Sequence, residues 1–238
     1  WNMCDNLLIE KIEIYLDEKK LAELLPPTNQ YLISNLPEGE HRVKVVVYDK
    51  MNYNSYDEVR IIVDLTKPHV KIETPQSNSY VSGSFTLKWN ASDNYGIKEF
   101  IIYANDEKII ELNGTETEVS ISLKDGVYTI KVVAVDYAGN KDYDQISIIV
   151  DSTPPTIKIT SPSSLSTIYT ADFVVMWNAT DNIELDRIQV WLNNSLKAEL
   201  PPNTSQYTFI GIPDGAYLIK IMAIDKAGNS AYDSIIVI

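Results

Sequence analysis

The feature that most constrains this chain of 238 residues is a repeat with a period of 88 residues. The motif Trp-Asn-x-x-Asp-Asn begins at Trp1, Trp89 and Trp177. A period of this length is too long for the helical hairpins of solenoid proteins, and it matches a small domain that folds on its own. The repeat therefore predicts three modules, which we call module 1 (residues 1–64), module 2 (65–151) and module 3 (152–238).

Two more markers recur in the same order after each motif. The second marker is an acidic residue followed by glycine, and the third is a short apolar run closed by aspartate. They end at Gly39, Gly126 and Gly215, and at Asp49, Asp136 and Asp225, respectively. Three ordered markers at one period indicate that one fold is used three times.

Within the modules, side chains alternate with a period of two residues. In module 3 this alternation runs through residues 173–177, 188–192 and 217–223, which are rich in β-branched and aromatic residues. Asp-Gly, Gly-Asn and Pro-Pro pairs interrupt it, as is typical of strands joined by turns. No segment shows the 3.6-residue period of a helix. The pattern predicts an all-β chain of tandem antiparallel sandwiches, arranged as an elongated array.

Several of these motifs carry a resemblance to a known family. They are Thr-Pro-Pro at 153–155, Trp177, Asp-Gly-Ala-Tyr at 214–217 and Ala-Ile-Asp-Lys-Ala-Gly-Asn at 223–229. At these residues the chain resembles the tandem bacterial and archaeal immunoglobulin-like (Big-type) repeats of secreted surface proteins. The resemblance implies the fold but leaves function open, because such modules serve as spacers, adhesins, filament subunits and appendages of enzymes.

Particular side chains have expected roles. The alternation places Trp89 and Trp177 on the inward face of their strands, so they should be buried between the sheets. The resemblance implies further roles. Tyr128 and Tyr217 match the tyrosine corner, in which a buried ring sends its hydroxyl to nearby backbone. His41 stands in that place in module 1, so we expect it to substitute for the corner tyrosine and not to act as a catalytic base.

Composition narrows the possible partners. The formal net charge is −13, and there is one cysteine and two histidines. An acidic chain disfavours nucleic acid and anionic membranes as partners, and no apolar stretch reaches the roughly 20 residues that a membrane span needs. One cysteine excludes a disulfide within the chain and, with two histidines, disfavours zinc or thiol catalysis.

Glycosylation sequons favour an extracellular, cell-surface location. Asn-x-Ser/Thr occurs five times, which favours a secreted glycoprotein over chance. The candidate glycosylation sites are Asn90, Asn113, Asn178, Asn193 and Asn203.

Module 1 is shorter than the others at its start. Trp1 aligns with Trp89, so module 1 lacks the counterparts of residues 70–88. A sandwich without these strands exposes a groove over its core and unpaired strand edges. Two explanations stay open: the sequence is a fragment of a longer array, or a strand from another segment or subunit completes the module.

Calcium is a candidate ligand of the acidic residues near the module junctions. Asp136 and Asp225 lie in Ala-x-Asp-x-Ala-Gly-Asn, and Asp64 and Asp151 lie in the linkers. The arrangement is similar to that of cadherins, and calcium prefers several carboxylate and carbonyl oxygens. The alternative is that Asp136 and Asp225 only hydrogen-bond the Ala-Gly-Asn turn, and that the aspartates of Trp-Asn-x-x-Asp-Asn only cap turns.

The alternation also predicts a contact surface on the outward side of two neighbouring strands. An outward aromatic residue beside outward aliphatic residues would form an exposed patch in each module, with Trp191 largely exposed. The patch is explained either by packing against another module or chain, or by sugar stacking, or by cross-strand pairing that only stabilises the sheet. Its candidates are Tyr15, Tyr103, Val133, Val135, Trp191, Met222 and Ile224.

The sequence contains no phosphate-binding loop, metalloprotease motif or nucleophile elbow, so we predict no enzyme, no catalytic residue and no cofactor beyond calcium. The predicted function is a structural or adhesive segment of a secreted prokaryotic cell-surface protein, in an S-layer, filament or adhesin. Its expected partners are other copies or modules of the same protein, and glycans. The alternative is an accessory spacer or carbohydrate-binding region of a large secreted hydrolase.

Overall fold

A computed structural model describes residues 8–238. These residues form nineteen β-strands and no helix, which confirms the all-β prediction. None of them belongs to a helix that could span a membrane. The motif that begins at Trp1 lies entirely outside the described residues.

Module 1 contributes a single sheet within the described residues. The sheet has the strand order β2-β1-β3-β4, and β1 pairs antiparallel with both β2 and β3. Val43 lies opposite Val59 in the β3–β4 pair. The strands are β1 Ile9–Leu16, β2 Lys19–Leu24, β3 Gly39–Asp49 and β4 Asn54–Val63.

Module 2 contributes two sheets, of orders β10-β7-β5 and β6-β12-β11-β8-β9. Strand β6 joins β12 in parallel, which extends the larger sheet by one short edge strand. The strands are β5 His69–Thr74, β6 Ser79–Val81, β7 Ser84–Ser92, β8 Ile97–Ala104, β9 Glu107–Asn113, β10 Glu118–Ser122, β11 Gly126–Asp136 and β12 Lys141–Val150.

Module 3 contributes two sheets, of orders β13-β14-β17 and β16-β15-β18-β19. The larger sheet has the same order as the sheet of module 1. The strands are β13 Thr156–Ser161, β14 Phe173–Thr180, β15 Leu185–Leu192, β16 Ser195–Leu200, β17 Gln206–Phe209, β18 Tyr217–Asp225 and β19 Ser230–Val237.

The tryptophans of the repeat motif lie in the cores of modules 2 and 3, as predicted. Trp89 is 2% exposed and Trp177 is 1% exposed. Trp89 packs edge-on against Phe100, with ring centroids 5.2 Å apart. Trp177 donates a hydrogen bond from Nε1 to the carbonyl of Thr204 at 2.9 Å. The alternation of β7 and β14 therefore directs both rings inward.

Two corner side chains contact proline carbonyls at equivalent positions of their modules. The hydroxyl of Tyr217 donates to the carbonyl of Pro213 at 3.0 Å. In module 1, Nε2 of His41 lies 3.0 Å from the carbonyl of Pro37, while Nδ1 lies 2.7 Å from a carboxylate oxygen of Asp17. His41 thus takes the place of a corner tyrosine, as predicted.

Internal contacts divide the chain into two compact units. One contains the described residues up to His69 together with residues 92–98 and 134–142, and the other contains 70–91, 99–133 and 143–238. Every sheet draws its strands from a single predicted module. The module boundaries after residues 64 and 151 stay a prediction.

Candidate functional site

Six aspartates form two triads of identical construction. Each triad combines a linker aspartate, the aspartate of a Trp-Asn-x-x-Asp-Asn turn and the aspartate that ends an Ala-x-Asp strand. In each, carboxylate oxygens from all three residues lie within 4.8 Å of one another. Each triad lies inside one compact unit. The first triad is Asp64, Asp93 and Asp136, and the second is Asp151, Asp181 and Asp225.

The strand-end aspartates are buried and held by the Ala-Gly-Asn turn. Asp136 is 0% exposed, and its two oxygens accept from the backbone amide of Asn140 at 2.9 Å and from its side-chain amide at 2.8 Å. Asp225 is 1% exposed and accepts the same two bonds from Asn229, both at 2.8 Å. The predicted hydrogen bonding to the turn is confirmed. It leaves further lone pairs on each carboxylate, because a carboxylate has about four acceptor positions.

The same asparagines fix the linkers. The side-chain amide of Asn140 also donates to the carbonyl of Asp64 at 3.1 Å. That of Asn229 donates to the carbonyl of Asp151 at 2.9 Å. The Ala-Gly-Asn turn therefore holds both the strand-end aspartate and the linker backbone that supplies the next member of its triad.

The turn aspartates have one occupied and one free oxygen. Oδ2 of Asp93 accepts the amides of Tyr95 and Gly96, and Oδ2 of Asp181 accepts those of Ile183 and Glu184, all at 2.9 Å. Oδ1 of each is buried and has no hydrogen-bond partner. Turn capping is thus confirmed, but the sequence prediction missed that these residues complete the triads. Their recurrence at the 88-residue period was the only signal that could have shown it.

The linker aspartates repeat that arrangement. Oδ1 of Asp64 accepts the amide of Thr66, and Oδ1 of Asp151 accepts the amide of Thr153, both at 3.1 Å. Oδ2 of each is buried without a partner. Burial raises the pKa of Asp151, and the negative charges of Asp181 and Asp225 raise it further. The hydrogen bond from the Thr153 amide acts in the opposite direction but does not outweigh them.

Among the described residues, no aspartate of either triad forms an ion pair with a lysine, arginine or histidine. Lys226 adjoins Asp225 in the sequence but pairs with Glu184, with Nζ 2.6 Å from the carboxylate. Three carboxylates close together inside a protein are costly unless a positive charge compensates them. Chemically, each triad is suited to a hard cation that binds oxygen.

A second polar contact supports each linker. In module 1, Glu38 accepts the hydroxyl of Thr66 at 2.6 Å and the side-chain amide of Asn94 at 2.7 Å. At the equivalent place in module 2, Asp125 accepts the amide and hydroxyl of Ser152, at 2.7 and 2.6 Å. The acidic residue of the second sequence marker therefore positions the linker.

The predicted contact surface needs correction. Val135 and Ile224 are 3% and 7% exposed, so neither belongs to an outer surface. Each lies between two other buried residues at a strand end, where both faces of the strand are covered. Opposite Ile224, the neighbouring strand β15 has an irregular register between Leu185 and Arg187, and such an irregularity disrupts the pairing locally. Val133 and Met222 are half-buried.

The three aromatic residues of this surface are also half-buried. Nζ of Lys220 lies 4.6 Å from the ring centre of Trp191, and Nζ of Lys131 lies 5.5 Å from that of Tyr103. Tyr15 donates its hydroxyl to Glu13 at 2.7 Å. The expectation that Trp191 is largely exposed is wrong, because the cross-strand lysine lies over its ring. Partner binding by this surface stays a prediction.

All five sequon asparagines are exposed, although their local structures differ. Asn90 and Asn178 lie within strands β7 and β14, and Asn113 ends β9. Asn193 lies in the tight turn between β15 and β16, where its side-chain oxygen accepts the amide of Leu218 at 2.8 Å. Their exposure leaves room for sugar, while glycosylation itself stays a prediction.

Comparison with known proteins locates two of the repeats in one family. A family model described as bacterial Ig domain matches residues 68–132 and again residues 155–221, together more than half of the chain. A kelch domain-containing protein of Sulfurisphaera tokodaii is 22% identical over 213 residues, which make up 87% of this chain. The chain spans only 28% of the length of that relative.

Solved structures share the fold at low sequence identity. The fibronectin(III)-like modules of Clostridium thermocellum CbhA superpose with a TM-score of 0.52 and 17% identity, over 71% of this chain and 93% of theirs. The three N-terminal domains of the bacteriophage RB49 Hoc capsid protein cover 95% of this chain, with 86% of their own length matched, 13% identity and a TM-score of 0.48. The first of these likenesses shows a tandem sandwich fold and nothing about binding.

Proposed function

Because the chain belongs to the bacterial Ig domain family, we propose that it is a non-catalytic structural or adhesive segment of a secreted prokaryotic cell-surface protein. S-layers, filaments and adhesins are the assemblies to which such a segment is suited. The Ig-like fold is typically non-catalytic. The exposed sequons support a location outside the cell. At the cell surface, a strand from another segment or subunit would complete module 1.

The observation that carries this proposal is the apolar face of the module 1 sheet, which the described residues leave partly open to solvent. Val59 in β4 is 56% exposed, whereas the residues at the same place in the other modules, Ile146 and Ile235, are both 8% exposed. Each of the three follows a strand aspartate by two residues. Among these three equivalent positions, the one in module 1 is therefore open to solvent, whereas the other two are buried in their cores.

The aspartates of these strands show what normally covers that position. In module 2, Oδ2 of Asp144 accepts the amide of Ile72 in β5 at 2.9 Å and lies 3.0 Å from Nζ of Lys71. In module 3, Oδ2 of Asp233 accepts the amide of Ile159 in β13, also at 2.9 Å. The carboxylate of the last strand thus anchors the first strand of its own module.

The anchoring contacts have an electrostatic signature. Burial works against ionisation of Asp144, but the Ile72 amide and Lys71 outweigh it and hold its pKa below the ordinary value. The pKa of Asp233 is lowered in the same way, by the Ile159 amide and Lys158 against burial. Both carboxylates are therefore stabilised as anions by an incoming strand.

Among the described residues, module 1 has the anchoring aspartate but no first strand. Oδ1 of Asp57 accepts the amide of Glu58 at 2.9 Å, and Oδ1 of Asp144 accepts that of Gln145 at the same distance. Within residues 8–238, no first-strand amide reaches Asp57. We infer that a strand with the pattern apolar–lysine–apolar, as in Val70–Ile72, completes the module. It comes from another segment of the parent protein or from another copy.

A labelled peptide tests this. The probe is a synthetic peptide of residues 66–88, which includes the span 70–88 that has no counterpart in module 1. It is added to the full chain while fluorescence anisotropy is followed. We expect saturable binding that Asp57→Asn weakens roughly tenfold, since hydrogen bonds to a charged group contribute about 1.5–3 kcal/mol. Glu58→Gln is the matched control, because its side chain points to the opposite face of the same strand.

Two results would contradict the proposal. One is a peptide that fails to bind; the other is equal binding to the Asp57→Asn and Glu58→Gln variants. The same peptide with Ile72→Asp is a negative control and should bind neither the unchanged chain nor either variant. Sedimentation of the chain alone then identifies the donor: concentration-dependent oligomers indicate another copy, and a monomer that binds peptide indicates another segment of the parent.

A further inference from the structure

We propose that the two aspartate triads are calcium sites, so that the chain binds two calcium ions. One site consists of Asp64, Asp93 and Asp136, and the other of Asp151, Asp181 and Asp225. This inference is independent of how module 1 is completed. It adds Asp93 and Asp181, which the sequence pattern assigned only to turns.

Unpartnered oxygens are the first argument for a ligand. Asp64 is 7% exposed and Asp151 is 0% exposed, yet Oδ2 of each has no hydrogen-bond partner. Oδ1 of Asp93 and of Asp181 is equally buried and unpartnered. Buried acceptors without partners are rare in folded proteins and indicate an additional bound species. The same two positions are unpartnered in both triads, so the feature belongs to the repeat.

Charge identifies that species as a cation. Each triad brings three carboxylates together, and none of the six is in an ion pair among the described residues. Glu13 shows the usual solution elsewhere in the chain, because this buried carboxylate is paired with Lys11 and Lys20, at 2.9 and 2.6 Å. In the part of the chain that the structure describes, no lysine pairs with a triad carboxylate in this way, and a divalent cation would supply the missing charge.

Ligand type and spacing favour calcium. Calcium binds six to eight oxygens at about 2.3–2.6 Å, so two oxygens on one ion lie at most about 5 Å apart. The triad oxygens lie within 4.8 Å of one another. All are carboxylate oxygens, without the nitrogen or sulfur ligands that zinc prefers. Water and backbone carbonyls would supply the other ligands.

The carboxylates are already oriented. Asn140 and Asn229 each hold a strand-end aspartate by two hydrogen bonds, and two backbone amides hold each turn aspartate by Oδ2 only. Such outer contacts fix ligands before the ion arrives. A bound ion would be coordinated by the linker aspartate that follows the last strand of one module and by two aspartates of the next module. It would thereby link the two segments.

Calorimetry on the full chain tests the proposal. The protein is freed of metal with a chelator and titrated with calcium chloride. We expect two ions per chain, one in either Asp93→Asn or Asp181→Asn, and none in the double variant. Asparagine keeps an oxygen that can accept the two turn amides while its NH₂ group replaces the ligand oxygen. Unchanged circular dichroism would show that the variants fold.

The control separates specific sites from attraction to an acidic chain. Glu107 and Glu116 are exposed and lie outside both triads, so the pair Glu107→Gln, Glu116→Gln removes the same charge as the double variant. It should still bind two ions. In the wild type, calcium should also slow amide hydrogen exchange of residues 64–67 and 151–153, the linker residues that precede the prolines. A wild type that binds no calcium, or a double variant that still binds two ions, would overturn the proposal.

Discussion

Replacement of Trp177 by alanine should destabilise module 3 by about 4–6 kcal/mol. The side chain is 1% exposed, and its Nε1 donates to the carbonyl of Thr204 at 2.9 Å. Loss of a buried tryptophan side chain costs about 3–5 kcal/mol as transfer free energy and cavity. The unpartnered carbonyl adds about 1 kcal/mol. A module with about 90 residues has a stability of roughly 5–13 kcal/mol, so the variant should be close to unfolding.

Trp89 is a matched control for the hydrogen bond. It occupies the same place in module 2 and is 2% exposed, but its Nε1 is buried without a partner. Phenylalanine at either position removes a similar volume. Trp177→Phe should therefore cost about 1 kcal/mol more than Trp89→Phe, the size of one net hydrogen bond.

The assay must resolve modules, because a chain of several domains does not unfold in one two-state step. Amide hydrogen exchange read by mass spectrometry reports module 2 on β7 and β11, and module 3 on β14 and β18. Protection should fall in module 3 alone for the Trp177 variants. Equal costs for the two phenylalanine variants would refute the role of the hydrogen bond, and unchanged protection in Trp177→Ala would refute the core assignment.

Three further outcomes are expected. Hydrogen bonds from Lys11, Lys20 and Tyr15 lower the pKa of Glu13 from 4.5 to about 2, so its stabilisation of β1 is complete above pH 4.5 and is lost as the pH falls towards 2. An NMR titration of the Glu13 carboxyl should show this, and Glu13→Gln should remove that part of the acid sensitivity. Tyr217→Phe should destabilise module 3 by about 1 kcal/mol in thermal unfolding, through loss of the corner hydrogen bond. Intact mass spectrometry of protein from its natural source should show sugar on some of the five sequons, whereas the mass of the bare polypeptide would refute glycosylation.

Local patterns predicted much of the fold. Alternation across β14 and β18 predicted their strands and the inward direction of Trp177, because successive side chains of a strand point to opposite faces. The Asp-Gly-Ala-Tyr segment predicted the corner bond of Tyr217, and comparison of the modules predicted the role of His41. These features depend on residues close together in the chain.

Predictions from side-chain alternation were wrong where a strand is covered on one face along most of its length and on both faces at its end. Val135 and Ile224 were predicted to face outward, yet both are buried, because the strand end is covered on both faces. A period of two says which face a side chain takes but not what covers that face. For the same reason, the exposure of Val59 could be anticipated only as a groove without named residues.

The sequence by itself determined the repeat, the all-β class and the inward tryptophans, since each follows from side-chain alternation and turn residues at a constant period. Tertiary structure alone decided that Asp93 joins Asp64 and Asp136, and that Asp181 joins Asp151 and Asp225. The members of a triad lie on separate segments of the chain, and only packing sets which carboxylate oxygen is used by the turn and which stays free. Sequence spacing carries no information on that orientation.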